Sequence, residues 1–182
     1  MLLQKEDILA ASRDLIKENG WAAVSIRAVA SRCSVSAGTI YNYYESKADL
    51  LNDTIESIWH EIFFHPEDEQ IFHDVESCIS WIYERLEYGN RQFPGFFSLH
   101  SFGFMRDEKT SGKKRMMKTW GHILNGLCEV LGNDPKVRAD VFDQEFTEKK
   151  FADILFSLIL VSMIRQDYDP SSVLMLVKKT LY

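Results

Sequence analysis

One segment of this chain determines how it folds: Ser25-Ile-Arg-Ala-Val-Ala-Ser-Arg-Cys-Ser-Val-Ser-Ala-Gly-Thr-Ile-Tyr-Asn-Tyr-Tyr-Glu-Ser-Lys47. Serine is a strong N-cap, so Ser25 predicts a helix that ends near Arg32, and Ser36 predicts another that ends near Tyr43. Two helices of about eight residues joined by a short turn have the dimensions of a helix-turn-helix, whose second helix enters the major groove of DNA. The segment therefore predicts a DNA-reading unit.

The apolar positions of this segment agree with that geometry. Ala30 is small where the two helices must cross closely, and Val35 and Ile40 are apolar where the second helix packs on the first. Short side chains in the first turn of the second helix can approach base edges: Ser36, Ala37 and Thr39. Hydroxyl and amide groups that can meet phosphate come next: Tyr41, Asn42 and Tyr43.

Helical periodicity predicts an all-α protein of about nine helices. Helix 5–19 ends at Asn19-Gly20, where glycine can take a left-handed cap. Ser46-x-x-Asp49 is a capping box for a helix over 46–64, whose first turn contains Lys47. A cation there opposes the helix dipole and invites an anionic partner. Two later helices are predicted to begin at Asp-Pro pairs, with Asp as N-cap: Asp134-Pro135 and Asp169-Pro170.

Composition indicates a globular protein of 182 residues, 46% hydrophobic and 26% charged. The three cysteines are widely spaced within apolar stretches and are expected to be reduced core residues of a cytoplasmic protein: Cys33, Cys78 and Cys128. The N-terminus has no apolar run typical of a signal peptide, and the most apolar segment, 151–164, is too short to span a bilayer. We expect no membrane partner.

The net charge of -6 at first argues against a DNA partner. Residues 1–50, however, contain six Lys or Arg and six Asp or Glu, so the whole deficit belongs to residues 51–182. Because the N-terminal unit is neutral, DNA binding is expected to rely on a few placed contacts and to be weak on non-specific DNA at physiological salt.

About the first 50 residues resemble the TetR family of bacterial transcriptional regulators. The matching motifs are Asn19-Gly20-Trp21, Ser25-x-Arg27-x-Val29-Ala30, Val35-Ser36-x-Gly38-Thr39-Ile40-Tyr41-x-Tyr43-Tyr44 and Lys47-x-x-Leu50-Leu51. The chain departs from the family pattern at Ser34, where glycine is common, and at Tyr43-Tyr44, which replaces a frequent His-Phe. The resemblance implies a DNA-binding domain over 1–46 and an effector-binding and dimerisation domain over 47–182, connected by the helix 46–64.

The resemblance also implies site residues for DNA. The implied DNA contacts are Ser25, Arg27, Ser36, Ala37, Gly38, Thr39, Tyr41, Asn42, Tyr43 and Lys47. The family further implies an apolar effector cavity in the C-terminal domain, where aromatic residues are abundant. The candidate lining residues are Trp59, Phe63, Trp81, Tyr88, Phe97, His100 and Trp120, although core packing is the alternative for each of them.

The last two predicted helices, 146–165 and 171–181, are too apolar for one buried face each. A symmetric partner is the economical explanation, and the family arrangement is a four-helix dimer interface. Such a dimer would place two recognition helices about one DNA turn apart, so a palindromic operator is expected.

The sequence leaves two other classes of function to consider, an enzyme and a helical adaptor. An enzyme is not expected, because the sequence has no Gly-rich phosphate loop, nucleophile elbow or isolated carboxylate pair. No cofactor or metal is expected either, since the spacing of His60 and His65 places them on different faces of a helix. The remaining alternative is a helical adaptor or small-molecule-binding protein that keeps the fold without binding DNA.

Overall fold

The computed structural model describes residues 3–63, 72–97 and 111–182, and its regular structure in these ranges is entirely helical. The eight α-helices seen there are α1 Lys5–Asn19, α2 Ile26–Arg32, α3 Ala37–Tyr41, α4 Lys47–Phe63, α5 Val75–Gln92, α6 Ser111–Asn133, α7 Glu148–Arg165 and α8 Ser171–Leu181. The predicted all-α fold is confirmed.

Helices α1 to α3 form the N-terminal unit, and the predicted serine caps begin both short helices. The Ser25 hydroxyl accepts a hydrogen bond from the Ala28 amide at 3.1 Å, and the Ser36 hydroxyl accepts one from the Thr39 amide at 3.1 Å. Helix α3 ends at Tyr41, two residues before the predicted end. Of the residues predicted to pack between the two helices, Ala30 and Ile40 are buried and Val35 is half-buried.

Two residues of this unit have positive φ. Gly20 ends α1 at φ 75° and ψ 177°, so its φ is positive as predicted, but its ψ differs from that of the left-handed helix cap. Ser34, in the turn between α2 and α3, has φ 56°. This conformation costs a side-chain-bearing residue about 1 kcal/mol, which explains why glycine suits the position.

Helices α4 to α8 form the helical bundle. Ser46 begins α4 by accepting the Asp49 amide at 3.1 Å and donating its hydroxyl to the Asp49 carboxyl at 2.7 Å. Helix α6 packs against α4, α5 and α7, and α8 packs against α5. Because α4 contacts both α1 and the other helices, it connects the N-terminal unit to the helical bundle.

The two Asp-Pro predictions have different outcomes. Asp169 lies at the start of α8, where its carboxyl accepts the Ser171 amide at 2.9 Å, although α8 begins at Ser171 and not at Pro170. No helix begins at Asp134-Pro135, so that prediction is wrong: residues 134–147 form turns and bends. The Asp134 carboxyl instead accepts the amide of Val75, the first residue of α5, at 2.9 Å.

All three cysteines are free thiols, but their burial differs from the prediction. Cys78 is buried, whereas Cys33 and Cys128 are only half-buried. Within the described ranges, every helix is too short or too polar to cross a membrane.

Candidate nucleic-acid interface and ligand cavity

The predicted DNA contacts all reach the surface of the N-terminal unit. Arg27, Ser36, Gly38, Asn42 and Lys47 are exposed, and Ser25, Ala37 and Thr39 are half-buried. Tyr41 and Tyr43 are 55% and 39% exposed, although their rings are large and partly apolar. A recognition helix that shows tyrosine rings and short polar side chains to solvent fits the major groove better than a buried partner helix.

The cations of the N-terminal unit separate into two groups. Of the six in residues 1–50, four form ion pairs within the protein: Lys5, Arg13, Lys17 and Arg32. The other two, Arg27 and Lys47, are exposed and have no ion-pair partner among the described residues. The two cations available to an outside anion are therefore the two that the sequence predicted to contact DNA.

Tyr43 has an additional role that the sequence did not predict. Its hydroxyl donates a hydrogen bond to the Leu3 carbonyl, which lies just before α1. This bond connects the turn that follows α3 to the N-terminal residues. Phosphate contact by Tyr43 would have to exchange this bond or use the other lone pair of the hydroxyl oxygen.

An ionic cluster at the end of α4 connects the N-terminal unit to the bundle. The Glu61 carboxylate accepts Lys17 Nζ at 2.7 Å and Arg13 Nε at 3.1 Å, both from α1. Arg85, on α5, donates to the backbone carbonyls of Glu61 and Ile62 and thereby satisfies the end of α4. Helices α1, α4 and α5 thus meet at one place.

Aromatic contacts connect the same elements. Trp21, which follows α1, stacks on Phe96 with ring centroids 5.8 Å apart and planes 11° apart. Phe96 contacts Trp59 at 5.2 Å, and Trp59 stacks on Phe63 at 5.7 Å. Phe63 in turn contacts Trp81 at 5.9 Å. These five rings, which we name the aromatic chain, extend from the N-terminal unit to the interior of the bundle.

A cavity of about 740 Å³ lies at the far end of that chain, within the size range of small-molecule sites. It is bounded by the end of α4, by α5 and by the C-terminal half of α6. The lining residues are Phe63, Phe72, His73, Cys78, Trp81, Ile82, His122, Ile123, Gly126, Leu127, Glu129, Val130, Asn133 and Pro135. Most of this wall is aromatic or aliphatic, so the cavity suits an apolar ligand.

Two residues of the wall show how the cavity is formed. A Cβ added at Gly126 would meet no atom within 4 Å, so the middle of α6 leaves open space beside it. Burial raises the pKa of the Cys78 thiol to about 12, with a further contribution from Asp74. Because Cys78 is a neutral thiol at physiological pH, it acts as an apolar wall residue and not as a nucleophile.

The candidate lining residues lie in several places. Phe63 and Trp81 line the cavity. Trp59 and Phe97 lie behind it, with their rings 5.6 Å apart. Elsewhere, Tyr88 lies under the Arg85 guanidinium and Trp120 contacts Phe156. His100 lies outside the described residues.

Most of the cavity-lining residues on α6 were not predicted from the sequence. His122, Gly126, Glu129 and Asn133 recur three or four residues apart, so they share one helical face. That spacing was available as a signal, but only the packing of α6 on α4 and α5 shows that the face meets a void.

Helices α7 and α8 each have a second apolar face. The face of α7 toward the core buries Phe151, Leu155, Ile159 and Met163, four residues apart. The opposite surface exposes Ile154, Val161 and Ile164 at 43%, 45% and 50%. On α8 the core residues are Val173, Val177 and Leu181, and the outer surface exposes Met175 and Leu176.

A metal site has no support in the described residues. No group of three or more His, Cys, Asp or Glu side chains in the described ranges is arranged to hold an ion. His65, whose spacing from His60 argued against a metal site, lies outside those ranges.

The N-terminal unit matches a known family. Residues 8–54 match the model of the bacterial regulatory proteins of the tetR family. The HTH-type transcriptional regulator UidR of Escherichia coli is 38% identical over 48 residues, which are 26% of this chain and 24% of that protein. The HTH-type transcriptional repressor KstR of Rhodococcus jostii is 44% identical over 48 residues, 26% of this chain and 23% of that protein. The match thus spans about a quarter of each curated relative.

The whole chain resembles a solved structure of the same architecture. The transcriptional regulator FadR from Bacillus subtilis, in complex with stearoyl-CoA, aligns with a TM-score of 0.64 and 19% identity. The alignment covers 98% of this chain and 100% of that one. At this identity the likeness establishes the fold, including the helical C-terminal part that the sequence match does not reach.

Proposed function

We propose that this chain, whose residues 8–54 match the model of the bacterial regulatory proteins of the tetR family, is a homodimeric, ligand-responsive transcriptional repressor. It binds a palindromic operator in the cytoplasm of a bacterium and releases it when a small apolar effector occupies the cavity. The observation that carries this proposal is the availability of Arg27 and Lys47, the two N-terminal cations without an ion-pair partner among the described residues, beside the exposed helix α3. The relatives and the family are transcriptional regulators and not enzymes.

DNA recognition would use the two ends of the helix-turn-helix differently. Arg27 and Lys47 would meet phosphates on either side of the groove and set the position of α3. Ala37, Gly38 and Thr39 would then approach base edges, because small side chains let the helix enter deeply. With so few free cations, affinity would depend on these contacts being made twice, once by each subunit.

Release would begin in the cavity. A ligand against Phe63 favours the conformation of α4 that best accommodates it, and α4 is continuous from Lys47 to Phe63. The aromatic chain and the Glu61 ion pairs fix the N-terminal unit to the same helix. A tilt of α4 would therefore move the two N-terminal units of the dimer out of register with successive major grooves. A ligand that prefers the tilted state by a few kcal/mol would be sufficient.

The proposal is tested by selecting bound sequences from random duplex DNA with the purified full chain. We expect a palindrome with half-sites about one helical turn apart. If no sequence is enriched, the chain is the alternative, a helical adaptor or ligand-binding protein without DNA-binding activity. If ligand binding leaves the distance between the two N-terminal units of the dimer unchanged, the tilt mechanism is contradicted.

Lys47→Ala is expected to weaken DNA binding equally for all sequences, because the lost contact is to phosphate. The slope of log affinity against log salt should fall by about one unit per subunit. Thr39→Ala should instead change the preferred sequence and leave the slope unchanged. The matched control is Lys149→Ala, which removes an exposed lysine from α7, far along the chain from the DNA unit. Equal slopes for the wild type and Lys47→Ala would exclude Lys47 from phosphate binding.

Gly126→Phe is expected to close the cavity without harming the fold or DNA binding. The new side chain enters open space, and replacing a mid-helix glycine favours the helix by a few tenths of a kcal/mol. Ligands found by thermal-shift screening of the wild type should bind this variant at least about tenfold more weakly by calorimetry. Gly121→Phe is the control, because Gly121 also has nothing within 4 Å but does not line the cavity. Equal ligand affinity in both variants would place the effector elsewhere.

A further inference from the structure

The charge of the cavity wall indicates the chemical class of the ligand. This inference rests on the proposed function, in which the cavity binds an effector. Among the described lining residues, Glu129 alone has a formally charged side chain, and none is Lys or Arg. No described residue forms a hydrogen bond or ion pair with the Glu129 carboxylate. Only its backbone is engaged, since the Glu129 carbonyl accepts the Asn133 side-chain amide at 2.9 Å. Glu129 is an exposed residue, so the wall offers a solvent-accessible carboxylate that has no protein partner in the described structure.

The aromatic part of the same wall favours the same kind of ligand. Phe63 and Phe72 contact Trp81 at 5.9 and 5.3 Å, so three rings form one side of the cavity. Ring faces attract cations through their quadrupoles, and tryptophan does so most strongly. The opposite charge is disfavoured, because a ligand carboxylate or phosphate would meet Glu129 without a described lysine or arginine to neutralise it.

We propose that the cavity binds a lipophilic organic amine in its protonated form, with its apolar body between the rings of Phe63, Phe72 and Trp81 and its ammonium group toward Glu129. His73 and His122 add imidazole nitrogens to the wall, which can accept a hydrogen bond from the same ammonium when neutral. A volume of about 740 Å³ accepts a ligand of two or more fused rings.

Three probes with the same apolar body and different heads test this inference: naphthylethylamine, naphthylethanol and naphthylacetate. Calorimetry on the full chain without DNA measures their affinities, so the result does not depend on operator binding. We expect the amine to bind about tenfold more tightly than the alcohol, which corresponds to one ion pair with the exposed Glu129 together with one cation–π contact. The acid should bind most weakly.

Glu129→Gln should lower the preference for the amine over the alcohol to about threefold, because it removes the charge of the side chain, keeps its shape and leaves the cation–π contact in place. Glu84→Gln is the matched control for the overall charge of the protein, since Glu84 is exposed on α5 and outside the cavity. Gly126→Phe should weaken all three probes, which confirms that they bind in this cavity and not on the acidic surface.

The outcomes separate this inference from the proposed function. Tightest binding by the acid, an amine preference unchanged in Glu129→Gln, or no measurable binding of any probe would overturn the amine assignment. A palindrome from the DNA selection would still stand in each of those cases. Conversely, an amine preference that depends on Glu129 supports the ligand class even if no DNA sequence is selected.

Discussion

Replacing Asp134 with alanine is expected to lower the free energy of unfolding by about 3 kcal/mol, because this buried carboxyl connects three parts of the bundle. One oxygen accepts the Val75 amide at 2.9 Å and the Tyr182 hydroxyl at 2.5 Å. The other accepts the Lys136 amide at 2.9 Å. Alanine would leave the Val75 amide, an unpaired donor of the first turn of α5, buried without a partner.

Two milder variants separate the contributions of the individual hydrogen bonds to this loss of stability. Tyr182→Phe removes one of the three bonds and should cost about 1 kcal/mol in denaturant unfolding. Asp134→Asn keeps the shape of the side chain and one acceptor oxygen. Its decrease in the free energy of unfolding should therefore lie between those of Tyr182→Phe and Asp134→Ala. Burial and the bond to Asp134 both raise the pKa of Tyr182, so its hydroxyl stays a donor throughout the neutral range.

An Asp134→Ala cost no larger than that of Tyr182→Phe would mean that the Val75 amide finds water instead. Lys178→Ala is a useful comparison, because it removes an exposed pair with Glu76 that joins the same two helices at their surface. We expect it to change stability by less than about 1 kcal/mol.

Val161→Asp is expected to convert the proposed dimer to a monomer and to abolish the proposed operator binding at concentrations where the wild type is saturated. Val161 is 45% exposed in the isolated chain, so aspartate is tolerated there before association. In a two-fold dimer the same substitution occurs twice, and each buried, unpaired charge costs about 2 kcal/mol or more. The dimer dissociation constant should rise about a thousandfold.

Sedimentation velocity and operator binding are measured on the same samples. Ala139→Asp is the matched control, because it places the same charge at an exposed alanine in the loop between α6 and α7. Circular dichroism should show the same helix content for both variants. A Val161→Asp protein that still sediments as a dimer would exclude the outer surface of α7 from the interface.

Features that depend on neighbours in sequence were the ones that could be predicted. The caps at Ser25 and Ser36 act on amides three residues ahead, so the residue types alone specify them. The end of α1 at Asn19 was predicted for the same reason, because Gly20 follows it directly in the sequence. Helix α3 was predicted two residues too long because its end depends on how the following turn packs.

Features that join distant residues could not be predicted. Asp134 has the local sequence of an N-cap, but its carboxyl is occupied by Val75 and Tyr182, 59 and 48 residues away. Lys17 and Glu61 pair across 44 residues, so a count of charges could not show which cations stay free for DNA. The cavity is harder still to predict from the sequence, because it lies where side chains of different helices leave space between them.

The length of α4 determines how small a tilt of this helix is sufficient to displace the N-terminal unit. A helix of 17 residues is about 25 Å long, so it acts as a lever between Phe63 and Lys47. A tilt of about 8° about one end displaces the other by about 3.4 Å, the rise of one base pair. In the proposed mechanism, a tilt of this size about the Phe63 end would therefore shift the Lys47 end of each subunit by about one base-pair step along the DNA.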